Sequence, residues 1–453
     1  MLFVKDRLFY KRAFMLLLPM IFQNVMSLML QLSDTVMLGL LPSNSETAIS
    51  AANLANKPYF VYTLFLFGIV SGATVLISQY WGKGDTETIS RILGIAMTTA
   101  LVLGSFFTLS CYLFAPSIMS MFSKSSEVIR LGAEYMRTVA ISYIPAAVIL
   151  LLYGILKSTE QVTVPLVFSG ASIILNIVLN YILIFGKFGL SEMGVRGAAI
   201  ATAISKLTEF VLVIIYMVFF EKKVHIKISK LLDFKKKILM DFVRYSSPVI
   251  LNETAWGLGI TVHAAILGNL GEEQYAAYTL ANIIEQIAML AVFGFANASG
   301  IIIGKEIGAG RSQNAYPYAK TLLSMAVISG FSFAFILMLF REKIIGIFNV
   351  SDTTKMYAGY IIIIMFFLIS FKSFNTPAIV GVIRAGGDTV TAMLTDFIPM
   401  WLIAIPLGLT VTKLFDLPVY FVYALLMSDE ALKAGFILWR LKSKRWIKNL
   451  TVQ

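Results

Sequence analysis

Apolar runs of bilayer-spanning length recur along the whole chain, and they constrain its fold more than any other feature. Twelve such runs lie near residues 14–38, 54–80, 94–115, 131–157, 163–185, 197–220, 242–269, 277–304, 317–340, 356–383, 391–412 and 417–439. Inside hydrocarbon, an apolar segment of about 20 residues has to satisfy its own backbone hydrogen bonds, and a helix does so. The sequence therefore predicts an all-α polytopic membrane protein with twelve transmembrane helices.

The composition is typical of such a protein. Apolar residues make up 58% of the chain and charged residues 14%, and the mean hydropathy is +0.82, whereas a soluble domain carries about 25% charged residues. The net charge of +12 does not indicate a nucleic-acid partner, because the cations lie in loops. No small-residue cleavage site follows the first run, so we expect a retained helix. The single cysteine, Cys111, excludes an internal disulfide.

Lysine and arginine cluster in alternate loops and thereby predict the orientation in the membrane. Basic clusters lie at the amino end (5–12), in the loop 221–244 and at the carboxyl end (440–448), whereas the loops 39–53 and 270–276 hold neither residue. Basic loops stay on the cytoplasmic side of a membrane. We therefore expect a multi-pass protein of the cytoplasmic (inner) membrane, with both termini and the loop 221–244 in the cytoplasm.

The chain contains an internal repeat. Segments of equal length that begin at Leu54 and Leu280 share Leu-Ala-Asn, Phe-Gly and a closing Gly-x-Gly, and Pro19 has a counterpart in Pro248. This predicts an amino-terminal six-helix lobe (1–220), a basic linker (221–244) and a carboxy-terminal six-helix lobe (245–453). Because six is even, both lobes enter from the same side, as in transporters whose halves rock around a central site.

The first helix carries polar side chains along one face: Asn24, Ser27, Gln31 and Asp34. A carboxylate in hydrocarbon costs several kcal/mol unless it is paired, hydrated or protonated. Asp34 therefore faces protein or water, where it can take up a proton or a metal cation. The alternative is a solvated charge among the headgroups, because Gly39 and Pro42 end the apolar run soon afterwards.

Three further polar residues of the first half could join Asp34. Asn176 and Asn180 are four residues apart and so share one helical face, and Thr202 lies near the start of the sixth helix. Their oxygens, like those of a carboxylate, suit a hard cation such as Na⁺ and not zinc or copper. The alternative is that they only join helices by hydrogen bonds.

The second half holds its own candidates for substrate binding: Glu253, Trp256, Asn282, Glu285 and Asp396. A carboxylate beside an indole, as at Glu253 and Trp256, could receive an organic cation. The structural alternative is that Lys372 pairs with Glu253 or with Asp396. His263 occupies the repeat position of Asp34, and we interpret it as a helix-packing histidine.

Enzyme motifs are missing from the sequence. It contains no HExxH and no phosphate-binding G-x-x-x-x-G-K-[ST] loop. A membrane prenyltransferase would need paired Asp-rich motifs, which are also missing. We therefore expect neither an enzyme nor a cofactor.

Several motifs resemble the multidrug and toxic compound extrusion (MATE) family of secondary transporters. They are Asp34-Thr-x-Met-x-Gly39, SQYWGKGD (78–85), LNIVLNYILIFG with GVRGAAIATAIS (175–205), IIIGKEIGAGR (301–311) and GVIRAGGDT (381–389). Their order and spacing in both halves resemble the bacterial branch of the family, over nearly the whole chain.

The resemblance implies a cation-coupled efflux antiporter that acts as a monomer in the bilayer. Inward flow of H⁺ or Na⁺ would drive export of small amphipathic, cationic compounds. It also implies a cation site on Asp34 with Asn176, Asn180 and Thr202 as partners, and a bend of the first helix at Pro19. Some members have an aspartate where Asn180 stands, so this site holds one charge fewer. The alternative within the superfamily is a flippase for a lipid-linked or amphipathic metabolite.

The charge pattern makes a prediction about the linker. In a variant that carries Cys111→Ser and Lys236→Cys, the new thiol should react with a membrane-impermeant reagent only from the cytoplasmic side, because Lys236 lies in the most basic loop. Labelling of intact cells against inverted vesicles measures this. Labelling from outside the cell would invert the predicted topology.

Overall fold

The described part of the chain is helical and contains no strand. The computed structural model describes residues 3–41, 45–348 and 350–452, with the backbone alone at 31, 32 and 228. The helices are α1 (Arg7–Gly39), α2 (Ser45–Ala55), α3 (Lys57–Lys83), α4 (Thr86–Leu113), α5 (Ala115–Ser120), α6 (Ser126–Ala140), α7 (Tyr143–Ser158), α8 (Thr163–Ile184), α9 (Gly194–Ile215), α10 (Ile228–Leu231), α11 (Lys236–Gly268), α12 (Glu272–Gly308), α13 (Ser312–Leu339), α14 (Arg341–Gly346), α15 (Asp352–Thr376), α16 (Thr389–Ile398), α17 (Ile405–Leu414), α18 (Val419–Leu426) and α19 (Asp429–Ser443). Three π-helical segments extend or join them: Tyr216–Phe220, Pro377–Ile383 and Pro399–Ala404.

The predicted all-α membrane fold is confirmed. Among the described residues, ten helical spans are long and apolar enough to cross a bilayer, and α6 with α7 forms an eleventh that is bent by 49°. The last predicted run, 417–439, is divided between α18 and α19. The layout therefore agrees with twelve spans in two lobes, although the fourth and twelfth are broken helices.

Local chemistry accounts for the two breaks. Pro145 stands at the third position of α7, where its ring removes a backbone donor and disfavours a helix that continues from α6. The second break has no proline. There α19 begins with Asp429 and Glu430, and acidic side chains are stabilising in the first turn of a helix.

The chain forms two compact units. The first-lobe unit comprises Phe22–Ile77 and Thr86–Arg244, and the second-lobe unit comprises Met1–Ile21, Ser78–Asp85 and Tyr245–Gln453. Helices α1 and α3 each contribute residues to both units, and the division between Arg244 and Tyr245 coincides with the predicted start of the carboxy-terminal lobe at 245. The loop 221–244 groups with the first-lobe unit, and α11 begins within it, at Lys236.

The carboxyl-terminal segment after α19 docks onto the second-lobe unit. The Gln79 side-chain amide donates to the Ala385 carbonyl (2.8 Å), and its oxygen accepts from the Leu450 backbone (2.8 Å). Trp446 is fully buried. Close approach of the backbones requires a glycine here, because a Cβ added at Gly308 would lie 1.8 Å from the Gln79 carbonyl oxygen. The basic end is thus a packed part of the unit.

In the first-lobe unit, ion pairs hold the linker against α4. Arg91 contacts Glu87 (2.5 Å) and Asp233 (3.0 Å), and Lys230 contacts Glu87 (3.3 Å). The hydrogen bond from Arg91 holds the pKa of Asp233 below its usual range. At the centre of this contact, a Cβ added at Gly94 would lie 1.7 Å from the Leu231 carbonyl oxygen. Only a residue without a side chain fits there.

This contact predicts the effect of two glycine substitutions. Gly94→Ala should lower the free energy of unfolding by about 2 kcal/mol, because the methyl group overlaps a backbone oxygen and has no space to move into. Thermal unfolding in detergent and protease cleavage of the linker measure it.

Gly359→Ala is the matched control. A Cβ added at this helical position meets nothing within 4 Å, so the change should be neutral or stabilise by up to about 1 kcal/mol. Equal melting temperatures for Gly94→Ala and the parent protein would show that the linker is not held at this point.

Candidate functional site

The structure brings the four predicted side chains of the first half together inside the first-lobe unit. The Asn180 amide donates to Asp34 Oδ1 (2.6 Å) and to Asn176 Oδ1 (2.9 Å). The Asn176 amide in turn lies 3.4 Å from Thr202 Oγ1. Asp34 precedes the end of α1 by more than one turn and contacts Asn180, which favours a site inside the protein over a charge solvated among headgroups.

Helices α8 and α9 position the two asparagines and the threonine. Asn176 and Asn180 are 2% and 0% exposed, and both lie on the α8 face that packs against α9 and α1. The small residues at the start of α9, such as Ala198 and Ala201, are fully buried, which lets these helices approach closely.

Tyr135 and Asn56 complete this site, and the sequence did not indicate either. The Asn56 amide donates to the Tyr135 hydroxyl (3.3 Å), and that hydroxyl also interacts with Thr202 and with the charge of Asp34. Tyr135 is one of 19 tyrosines in the chain, and no spacing distinguishes it from those that only pack. Its place at the site depends on the docking of α6 against α9.

One atom of the site lacks a partner. Asn180 Oδ1 is buried and accepts no hydrogen bond from any residue that the structure describes. A buried oxygen without a donor is costly, and this one belongs to the residue that contacts the Asp34 carboxylate. A bound cation would supply the missing partner, so Asp34 and Asn180 fit a hard monovalent ion.

The rest of the polar face of α1 plays a smaller part. Ser27 Oγ donates to the Gln23 carbonyl of its own helix (2.9 Å). Asn24 is half-buried, and the Gln31 side chain and Pro42 lie outside the described residues. Pro19 lies inside a single helix that runs from Arg7 to Gly39.

The ion pairs of the second-lobe unit differ from those expected. Lys372 contacts Glu285, whose other oxygen accepts from the Tyr423 hydroxyl (3.0 Å). Glu253 contacts Arg384 at 2.5 Å. The alternative that Lys372 pairs with Glu253 or Asp396 is therefore wrong, because helical periodicity does not fix which helices face each other.

The other candidates of the second half also have separate partners. Asp396 contacts Lys433 (2.8 Å) and accepts from the Asn252 amide (3.1 Å), and Asn282 donates to the Tyr278 hydroxyl (3.0 Å). Trp256 packs against the apolar core around Ile266. These side chains form several local pairs and not one shared site.

Two further observations concern metal binding and His263. Within the ranges that the structure describes, no three His, Cys, Asp or Glu side chains are arranged to hold a metal ion. His263 is 1% exposed, and neither ring nitrogen has a hydrogen-bond partner among the described residues.

Comparisons with known proteins agree on one family. The MatE family model matches residues 19–182 and 248–410. A probable multidrug resistance protein NorM of Thermotoga maritima is 24% identical over 97% of this chain and 93% of its own. The Bacillus cereus protein of the same name is 24% identical over 95% of each chain.

Solved structures show the same fold. A MOP superfamily transporter from Pyrococcus furiosus superposes with a TM-score of 0.85 at 18% identity, over 96% of each chain. An outward-facing multidrug resistance MATE family transporter of the MOP superfamily gives the same TM-score at 18% identity. Together with the two matched halves, one in each predicted lobe, these findings show that the chain belongs to the MatE family of bacterial membrane transporters.

Proposed function

We propose that this transporter is a cation-coupled antiporter, in which inward flow of H⁺ or Na⁺ drives the export of small amphipathic, cationic compounds. The observation that carries the proposal is the Asp34–Asn180 contact of 2.6 Å beside the unpartnered Asn180 oxygen. An intramembrane carboxylate in such surroundings marks an ion or proton pathway. Relatives described as multidrug resistance proteins support the export of drugs.

The charge of the site limits how many cations can bind there in one transport cycle. Asp34 is its only ionisable acid, and Asn176, Asn180 and Thr202 contribute neutral oxygens. One monovalent cation therefore neutralises the site, and a second would leave an uncompensated positive charge in a buried place. We infer that one H⁺ or one Na⁺ binds there in each transport cycle, and that competition for Asp34, direct or through a bend of α1 at Pro19, couples it to the drug.

The contacts favour an antiporter over a flippase. A site for a lipid-linked pyrophosphate would need several cationic side chains free to bind phosphate oxygens. The buried cations Lys372, Arg384 and Lys433 each contact a carboxylate instead. Because each of these cations already contacts an acid of the protein, none of them is free to hold a phosphate group.

The family and the charge pattern support a cellular location and an orientation in the membrane. A bacterial transporter of this family with at least ten spans belongs in the inner membrane. We propose in addition that both termini face the cytoplasm and that the protein acts as a monomer.

Asp34→Asn should abolish coupled export but leave folding intact. The amide removes the group that binds the ion, and it also removes a buried charge, so the melting temperature should hold or rise. Export of a cationic dye from proteoliposomes, under a proton gradient and then a sodium gradient, measures it. The exposed Asp352→Asn is the matched control. Dye export by Asp34→Asn against its gradient at the parental rate would exclude Asp34 as the coupling residue.

Asn180→Asp should change the ion preference of the site. A second carboxylate next to Asp34 gives the site a charge of −2, and another opposite charge about 4 Å from a bound ion is worth a few kcal/mol at protein-like dielectric. We expect the apparent affinity for Na⁺ to rise about tenfold or more, measured as the sodium dependence of dye export. Asn176→Asp supplies a comparison within the same helix. An unchanged sodium dependence in Asn180→Asp would place the ion elsewhere.

The pair of Glu253 with Arg384 gives a third prediction. Arg384 is 1% exposed, so Glu253→Gln removes a carboxylate that compensates a buried guanidinium and should lower the free energy of unfolding by about 3 kcal/mol. Glu253→Gln with Arg384→Met should recover most of the loss. If the single variant instead keeps its melting temperature and weakens only cationic dyes, then Glu253 serves the substrate, as the neighbouring Trp256 suggests.

A further inference from the structure

A second cluster of buried charge surrounds Lys433 in the second-lobe unit. The Lys433 ammonium lies 2.8 Å from Asp396 Oδ1, 2.8 Å from Asp429 Oδ2 and 3.3 Å from Glu430 Oε1. The side chains of Lys433 and Asp429 are each 2% exposed, and those of Asp396 and Glu430 are 14% exposed. Three carboxyl groups thus share one lysine.

The charge of this cluster does not balance if every acid is ionised. Three carboxylates around one ammonium leave two negative charges uncompensated. The nearby cations do not supply the difference, because Lys372 is bound to Glu285 and Arg384 to Glu253. Two uncompensated charges on side chains that are only 2% to 14% exposed are costly in a helix bundle. The cluster therefore requires a further positive charge.

Two buried oxygen atoms at the cluster also lack a partner. Asp429 Oδ1 and Asn375 Oδ1 accept no hydrogen bond from the described residues, and Asn375 belongs to the cluster because its amide donates to Glu430 Oε2 (2.7 Å). Both atoms are acceptors without a donor. A proton on a carboxyl group supplies both the positive charge and a donor.

The backbone is irregular around the same place. Asp429 is the first residue after the break between α18 and α19, Asn375 lies two residues before the π-helical segment Pro377–Ile383, and Asp396 lies three residues before the segment Pro399–Ala404. Interrupted helices and π-helical turns are frequent at functional sites of membrane transporters. Three such interruptions meet at one cluster.

We propose that Asp429 and Glu430, together with Asp396 and Lys433, form a proton-binding centre of the second-lobe unit that is separate from Asp34. Asp396 keeps the ion pair with Lys433, because the Asn252 amide donates to its other oxygen (3.1 Å). The surplus charge is shared within the cluster, and Asp429 Oδ1, which is buried and has no donor among the described residues, offers the site for a proton. Lys433 already occupies the position between the carboxyl groups, so a proton fits the centre and a metal ion does not.

Other ionisable groups also face this centre. His263 on α11 senses the charges of Lys372, Lys433 and Glu430. Tyr423 on α18 donates to Glu285 on α12. With Lys372 on α15, these groups lie on four helices. Tyr423, Glu285 and Lys372 are held in contacts with one another, and neither ring nitrogen of His263 has a partner among the described residues.

Proton binding here can be measured without transport. Infrared spectra of the purified protein at pH 7 resolve the C=O band of protonated carboxyl groups. In an Asp34→Asn background, we expect this band to persist, because the second centre keeps its protons. The triple variant Asp34→Asn, Asp429→Asn, Glu430→Gln defines the part of the band that depends on the cluster, as the intensity it loses relative to Asp34→Asn alone. Adding only Asp429→Asn or only Glu430→Gln to Asp34→Asn should remove at least half of that part.

Asp388→Asn is the matched control for a buried acid. Asp388 is 3% exposed, and Arg440 and Lys448 each lie 2.6 Å from it, so its charge is fully compensated. This variant should keep the whole band. Glu430→Gln, which is nearly isosteric, serves as the main variant if Asp429→Asn does not fold. A band that is equally strong with and without both cluster changes would overturn the proposal, and so would a band that sodium removes at constant pH.

The role of the centre in coupling rests on the proposed antiport, and a second measurement addresses it. A pH indicator in detergent reports the protons released when a cationic dye binds. We expect Glu430→Gln to lower the number of protons per dye up to twofold relative to Asp388→Asn. An infrared band with no dye-linked proton release would leave the centre standing and exclude H⁺ as the ion that exchanges with the dye. If Glu430→Gln releases as many protons per dye as Asp388→Asn, and no infrared band depends on the cluster, then the proposed centre is wrong while the proposed antiport stands.

Discussion

A bilayer offers no hydrogen-bond partner to a buried charge, and this constraint determines how every acid inside the protein is held. Asp34 accepts from a neutral amide, whereas Glu253 and Glu285 each contact a cation. An amide leaves the negative charge available to an exchangeable ion, but a cation paired with a single acid neutralises it. Where several acids share one cation, as around Lys433, part of the negative charge stays uncompensated.

The two halves of the repeat use this constraint differently. Asp34 and His263 occupy equivalent repeat positions, as do Asn24 and Glu253. At the position of Asp34, the first-lobe unit thus keeps an acid among hydroxyl and amide groups, while its other buried acid, Glu209, contacts Lys206. In the second-lobe unit, Glu253, Glu285 and Asp396 contact lysine or arginine. The two halves of the repeat have therefore diverged at the positions where each carries its charge.

The sequence predicted the parts of the structure that depend on periodicity. Apolar runs predicted the helices, the repeat predicted two halves, and the four-residue spacing of Asn176 and Asn180 placed both amides on one face. It did not predict contacts that depend on how helices dock. Tyr135 reaches the site only because α6 packs on α9. Lys372 contacts Glu285, and the sequence did not indicate this pair. The break before Asp429 contains no proline, and its one sequence signal, the two acids that begin α19, lies inside the predicted run 417–439.

At the start of α19, opposing electrostatic effects act on the carboxyl group of Asp429. The helix N-terminus and the Lys433 ammonium both stabilise negative charge on Asp429, whereas burial destabilises it. If one of these effects dominated, the carboxyl group would stay charged, or stay neutral, throughout a transport cycle. Because they compete, a small rearrangement at the break between α18 and α19 that admits water or moves Lys433 changes the proton occupancy of the carboxyl group. A broken helix beside surplus carboxyl groups therefore links proton binding to a change in shape.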